Sequence, residues 1–184
     1  MRVAVLLVFL LALAGCAMPR VVVLSDPLDA REHNDLGVSY ETSGEPDLAL
    51  KAYETAADKD PSWDQPLINL GNAHAAKGDW TQAASGYRQA LRRNPENPEA
   101  MNNLAYALVN LDEPDEALEW SSKAVQTEPG NPLFRATLAQ ALARNGERER
   151  ALALLAETLR TLNAHDPLHE RISALRERIA TDAF

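Results

Sequence analysis

A spacing of 34 residues governs this sequence. Pro61, Pro95 and Pro129 are separated by it, as are Leu36, Leu70, Leu104 and Leu138, and Ala49, Ala83, Ala117 and Ala151. Gly37 and Gly71 continue as Ala105 and Ala139, a column restricted to very small side chains; Tyr53 and Tyr87 continue as Ser121 and Leu155. A period of this length marks a stacked repeat, in which one unit cannot bury its apolar face alone and neighbours complete the core. Within the second unit, "LINLGNAHAAKGDWTQAASGYRQALRRNP" holds two helical patterns joined by Lys77-Gly78-Asp79. Composition agrees with close-packed helices: aromatic residues are only 5%, whereas sheets favour β-branched and aromatic side chains.

The boundaries follow from punctuation. The first unit covers about 30–61, the second 64–95, the third 98–129 and the fourth 132–163, so that the repeats together occupy 27–163. Gly44 and Gly78 sit where a first helix must stop, with Asp112 in the same column. Pro46 suits the first position of a second helix, and Asn97-Pro98 and Asn131-Pro132 read as caps followed by a first-turn proline. Asp79 is expected to cap the second helix of its unit. The remainder, 164–184, is read as a capping helix from Pro167 to Ala180 and a tail, with Leu168, Ile172, Leu175 and Ile179 on one face.

The columns Leu70-Gly71, His74, Gly78, Ala83, Tyr87, Ala90 and Pro95 resemble the tetratricopeptide repeat. That resemblance implies an all-α fold: a right-handed α-solenoid of four tetratricopeptide-type helix pairs plus a C-terminal capping helix. It further implies a concave groove lined by the first helix of each pair. Side chains expected to face that groove are Asn34, Asn69, Asn72, Asn102, Asn103, Tyr106 and Gln140. Amides both donate and accept, so a solvent-facing row of them can hold the backbone of an extended peptide. The basic clamp with which some relatives grip a terminal carboxylate is not matched. Asn34, Val38, Asn69, Glu99 and Asn103 stand where its lysines, arginine and asparagines are sought; two asparagines could match, but the cations are missing.

The amino terminus has a different character. Residues 1–15 carry an apolar run from Val3 to Ala14, too short for a spanning helix of roughly 20 residues and suited to a secretory signal. The run ends Leu13-Ala14-Gly15-Cys16, and Cys16 is the single cysteine of the chain. This resembles the lipobox of a bacterial lipoprotein, which implies cleavage before Cys16 and its acylation, palmitate included. Residues 16–26 then form a lipidated terminus and short linker. Ala17, rather than aspartate, follows the cysteine, which implies the outer membrane, facing the periplasm, in a Gram-negative cell.

No constellation in the sequence suggests catalysis, a cofactor or a metal. His74 shares a column with Tyr40, Leu108 and Leu142, so packing explains it; His165 and His169 lack an evident third ligand. The net charge of -9 argues against nucleic acid, whose phosphates need a basic face. The expectation is therefore a membrane-anchored, non-enzymatic adaptor that holds a protein or peptide partner in its groove. Such an adaptor would support an envelope, secretion, pilus or polysaccharide machinery. A self-assembling scaffold at the membrane surface is the alternative.

Overall fold

A computed structural model of the chain describes residues 26–181. The signal segment 1–15, Cys16 and the apolar run Val21–Leu24 lie outside the described residues. Those described form nine helices and no strand: α1 (Ala30–Thr42), α2 (Pro46–Lys59), α3 (Gln65–Ala76), α4 (Trp80–Arg93), α5 (Pro98–Asn110), α6 (Pro114–Thr127), α7 (Pro132–Arg144), α8 (Arg148–Thr161) and α9 (Pro167–Ala180). The first eight pair as α1/α2, α3/α4, α5/α6 and α7/α8, each pair packs on the next, and α9 closes the stack against α8 and α7. The expected all-α solenoid of helix pairs with a terminal helix is the observed architecture.

Each pair turns in the same way. The residue after the first helix's C-cap has a left-handed backbone, with φ of 75° at Gly44, 79° at Gly78, 59° at Asp112 and 80° at Gly146. The next amide then reaches back five residues, from Glu45 to Tyr40, Asp79 to His74, Glu113 to Leu108 and Glu147 to Leu142, at 2.8–3.0 Å. These bonds satisfy carbonyls that the helix end leaves open. Glycine adopts this backbone without penalty, whereas other L-residues pay roughly 1–2 kcal/mol. Asp112→Gly is therefore expected to stabilise the chain by up to about 1 kcal/mol, read as a rise in the urea midpoint with an unchanged m-value.

The same turn corrects one expectation. Asp79 occupies the N-cap position of α4, but its side chain makes no capping bond. The equivalent Glu45, Glu113 and Glu147 make none either. One residue ends the first helix and begins the second, so ψ is held between 49° and 67°. Asn97 and Asn131, which start first helices after longer loops, have ψ of 109° and 112° and do cap, accepting from Ala100 N and from Leu133 N and Phe134 N. Asp29 and Glu32 form a capping box on α1, a pairing three residues apart that is visible in the sequence.

The small-residue column has a specific partner. A Cβ added at Gly37 would stand 2.4 Å from Cε1 of Tyr53, and one at Gly71 would stand 2.5 Å from Cε1 of Tyr87. Each ring packs against the bare backbone of its own pair's first helix, with Tyr53 0% and Tyr87 2% exposed. The third unit pairs Ala105 with Ser121 and the fourth Ala139 with Leu155, all four fully buried. Size is thus exchanged within a pair: where the second helix gives up its ring, the first can carry a methyl group.

Burial removes water from both hydroxyls, and Tyr53 also donates to a carboxylate oxygen of Glu41 at 2.6 Å. Desolvation, then in Tyr53 that hydrogen bond and in Tyr87 the charge of Glu99, push both phenols well above their ordinary range. A pKa raised by folding contributes stability that is present below the unfolded value, near 10, and is lost as pH rises beyond it. Alkaline titration followed at the phenolate absorbance should show Tyr53 and Tyr87 ionising only together with loss of helical circular dichroism.

The core is built from both helices of each pair. Leu67, Ile68, Leu70, Ala83, Tyr87, Ala90, Leu104 and Leu108 belong to one cluster through the first three units, and Leu142, Leu155, Ile172, Leu175 and Ile179 to a second around the fourth unit and α9. Leu118 packs against both. Ile172 and Ile179 are 2% and Leu175 7% exposed; full burial of such side chains is worth about 1.5–3 kcal/mol each. The loops are tied to neighbouring units as well. Arg93 at the end of α4 donates to the carbonyls of Ala57, Asp60 and Trp63 at 2.8–3.2 Å, and Asn97 donates to Asp64 at 2.7 Å.

Candidate functional site

Successive first helices touch one another, α3 on α5 and α5 on α7, and α7 meets α9. The stack therefore closes toward that side, and the first helices form its inner face. Four side-chain columns lie along it: Arg31, Gln65, Glu99, Leu133; Asn34, Ile68, Asn102, Ala136; Asp35, Asn69, Asn103, Thr137; and Val38, Asn72, Tyr106, Gln140. All seven side chains expected to face the groove lie in the last three of these columns.

The structure joins the asparagines to each other. Asn69 donates to Asn34 at 2.8 Å and accepts from Gln65 at 3.0 Å. Asn103 donates to Asn72 at 3.1 Å, Tyr87 donates to the same Asn72 oxygen at 2.8 Å, and Asn102 donates to Asn103 at 3.2 Å. Asn34 is buried, and Asn69, Asn72, Asn102 and Asn103 are half-buried. The expectation that the row faces solvent is corrected here. Adjacent first helices lie close enough for an amide to reach one in a neighbouring column of the next repeat, so part of the row's hydrogen-bonding capacity is spent within the fold. Each bond of this kind contributes roughly 0.5–1.5 kcal/mol net.

Beyond this ladder the inner face opens into a cavity of about 520 Å³ between α5, α7 and α9. Asn102, Asn103, Tyr106 and Gln140 all line it, so four of the seven expected residues meet at one place. Tyr106 is 41% exposed and Leu133 46% exposed, both at this site. Tyr106 is held by an edge-on contact with Trp80, ring centres 5.7 Å apart and planes at 79°. The Oδ1 atom of Asn102 is buried and makes no hydrogen bond. Such an acceptor costs about 1–3 kcal/mol while unpaired.

Helix α9 supplies Leu168, Arg171, Ile172 and Leu175 to the cavity wall. The sequence placed Ile172 and Leu175 in the cap's packing face but did not place α9 beside Tyr106, because α9 belongs to no repeat and has no column to locate it. None of the described histidines lines the cavity. His74 Nδ1 is buried without a hydrogen bond, 3.8 Å from Asp79 Oδ2. His33, which the sequence reading passed over, lies 2.5 Å from Asp26, whose carboxylate also pairs with Lys59 at 3.2 Å. A hydrogen bond from the Leu28 amide, then those from His33 and Lys59, hold the Asp26 carboxyl below its ordinary range. Among the described residues no group of three or more His, Cys, Asp or Glu could hold a metal ion, and no helix is long and apolar enough to cross a membrane.

Two family models of the tetratricopeptide repeat match the chain, over residues 68–132 and 132–157. Several solved structures are similar. They include pilF of Pseudomonas aeruginosa, with a TM-score of 0.70 and 22% identity over 86% of this chain and 70% of that one. YrrB, described as a TPR protein with an unusual peptide-binding site, has a TM-score of 0.66 and 22% identity over 84% of this chain and 88% of its own. The first TPR of Spaghetti (RPAP3), solved with an HSP90 peptide, has a TM-score of 0.60 and 22% identity over 71% of this chain and 98% of its own. At these identities the likeness is one of fold. No curated protein matches the chain in sequence.

Proposed function

The chain is a tetratricopeptide repeat protein, and on that premise we propose that it is a non-enzymatic adaptor whose inner face holds a segment of a partner protein. The observation that carries this reading is the cavity between α5, α7 and α9. There an exposed tyrosine and an exposed leucine converge at the end of a polar ladder. Exposed aromatic and apolar side chains beside satisfiable amides are the usual makings of an interaction site. The family models that match are those of a repeat, and the peptide-binding descriptions of YrrB and RPAP3 support a peptide or protein as the ligand class.

The reading extends to where the adaptor works. Cys16, the single cysteine, follows Leu13-Ala14-Gly15 and precedes Ala17; on the first ground the chain is a lipoprotein cleaved before Cys16, and on the second it is held, in a Gram-negative cell, in the outer membrane facing the periplasm, and otherwise on the extracytoplasmic membrane surface. Its partner then belongs to an envelope machinery, whether for secretion, pilus assembly or polysaccharide export. The test is affinity capture from the native envelope with the full chain, compared across variants. Proteins retained by the wild type and by Gln82→Ala, an exposed position on α4, but lost with Tyr106→Ala, would support the groove. Retention by all three would place the interaction elsewhere.

A further inference from the structure

The cavity lined by α9 has a chemistry more specific than a row of amides, and it deepens the groove reading above, on which it rests. Its floor is apolar: Leu133 and Ala136 from α7 face Leu168, Ile172 and Leu175 from α9. The corresponding column positions in the earlier units are Arg31, Gln65 and Glu99 for Leu133, and Asn34, Ile68 and Asn102 for Ala136. The Leu133 column therefore changes from polar to apolar toward the carboxyl end. Leu133 remains 46% exposed there, and a cavity of about 520 Å³ has room for a bulky side chain.

Two polar features flank that floor. Gln140, which lines the cavity and is half-buried, has an amide that can both donate to and accept from the backbone of an extended peptide. On the opposite wall Arg171 is exposed, lines the cavity and makes no ion pair with another described residue. A guanidinium is matched by a carboxylate, which it can grip with two parallel hydrogen bonds. We propose that this cavity binds an extended segment of a partner protein in which a bulky apolar residue is followed by an aspartate or glutamate. The apolar side chain rests on Leu133, Ile172 and Leu175, the Gln140 amide hydrogen-bonds the backbone, and the acidic side chain meets Arg171.

The proposal differs from terminal-carboxylate recognition, because the acid is an internal side chain and the cation stands on the terminal helix instead of on the repeats. The test is an array of 400 acetylated and amidated octapeptides, Gly-Ser-Gly-X-Z-Gly-Ser-Gly, with all residue pairs at X and Z, probed with the full chain purified in detergent. A second array of the same peptides ends at Z with a free carboxyl. Expected are strongest binding for Phe, Leu, Ile or Trp at X with Asp or Glu at Z, and about tenfold weaker binding of those pairs to Arg171→Glu. That variant should shift the Z preference to Lys and Arg, whereas Gln140→Ala should weaken all pairs alike. Arg171 is exposed, so unchanged circular dichroism of its variant serves as the folding control. A Z preference that survives Arg171→Glu, no apolar preference at X, or binding confined to the free-carboxyl array would overturn the proposal. Silence of both arrays while Tyr106 still contacts a partner in the envelope would overturn this specificity and leave the groove reading standing; loss of both would remove both.

Discussion

Gly71→Ala should destabilise the chain by about 1–3 kcal/mol, even though alanine is the better helix former by about 1 kcal/mol. The three atoms nearest the new methyl group, at 2.5, 2.7 and 2.9 Å, all belong to the Tyr87 ring, where carbon atoms in contact prefer about 3.5–4.0 Å. The ring cannot swing away. It is 2% exposed, and its hydroxyl is tied to Asn72 at 2.8 Å. Gly86 gives the backbone no slack either: an ideal Cβ there would already stand 3.1 Å from Gly71. Helices α3 and α4 must part, with a fall in melting temperature of about 2–4 °C per kcal/mol for a domain of this size. The sign should reverse in a Tyr87→Ser background, which reproduces the Ala105–Ser121 pairing of the third unit. There the methyl group fills space vacated by the ring, and Gly71→Ala should stabilise. The two melting temperatures, measured with and without Tyr87→Ser, check the pairing. A stabilising Gly71→Ala in the wild-type background would mean that α3 and α4 do not meet at this residue.

Cys16→Ser is expected to abolish incorporation of labelled palmitate and to leave the precursor uncut by the lipoprotein peptidase. The thiol is the acyl acceptor in this reading, and the chain has no second cysteine to substitute for it. Each buried methylene of an acyl chain contributes about 0.8 kcal/mol to membrane binding, and one chain alone anchors weakly, so stable retention needs more than one. The variant should therefore leave the outer-membrane fraction altogether, while its repeats, which begin at Ala30, fold unchanged. A Cys16→Ser protein that still takes up palmitate would remove the anchor from this account.

The 34-residue period made most of the architecture legible, because in a solenoid each column carries the same structural duty in every unit. Asp112 illustrates this: its left-handed backbone was expected from its alignment with Gly44 and Gly78, and φ is 59°. Asn97 and Asn131 were legible as caps for a local reason, an amide followed by proline. Asp79 was misread because capping also depends on ψ, which the tight turn withholds. The asparagine row shows a different limit. Periodicity tells which residues share a face but not the distance between neighbouring helices, and that distance decides whether Asn34 and Asn69 bond to each other or to a ligand. The part of α9 in the cavity wall was hidden for the same reason, since the separation of Arg171 from Tyr106 depends on how a non-repeating helix is laid across the last pair.

The central claim, that a partner lies along the inner face at its carboxyl end, is tested most directly by site-specific photocrosslinking in the native envelope. A photoreactive phenylalanine analogue placed at Tyr106 keeps an aromatic ring at a position that is 41% exposed; the same group at exposed Gln82 on α4 reports the opposite side of the repeats. The account predicts a discrete adduct from position 106 that is absent from position 82 and is lost when Leu133→Glu is added to the apolar floor. An adduct from position 82 with none from position 106 would contradict it.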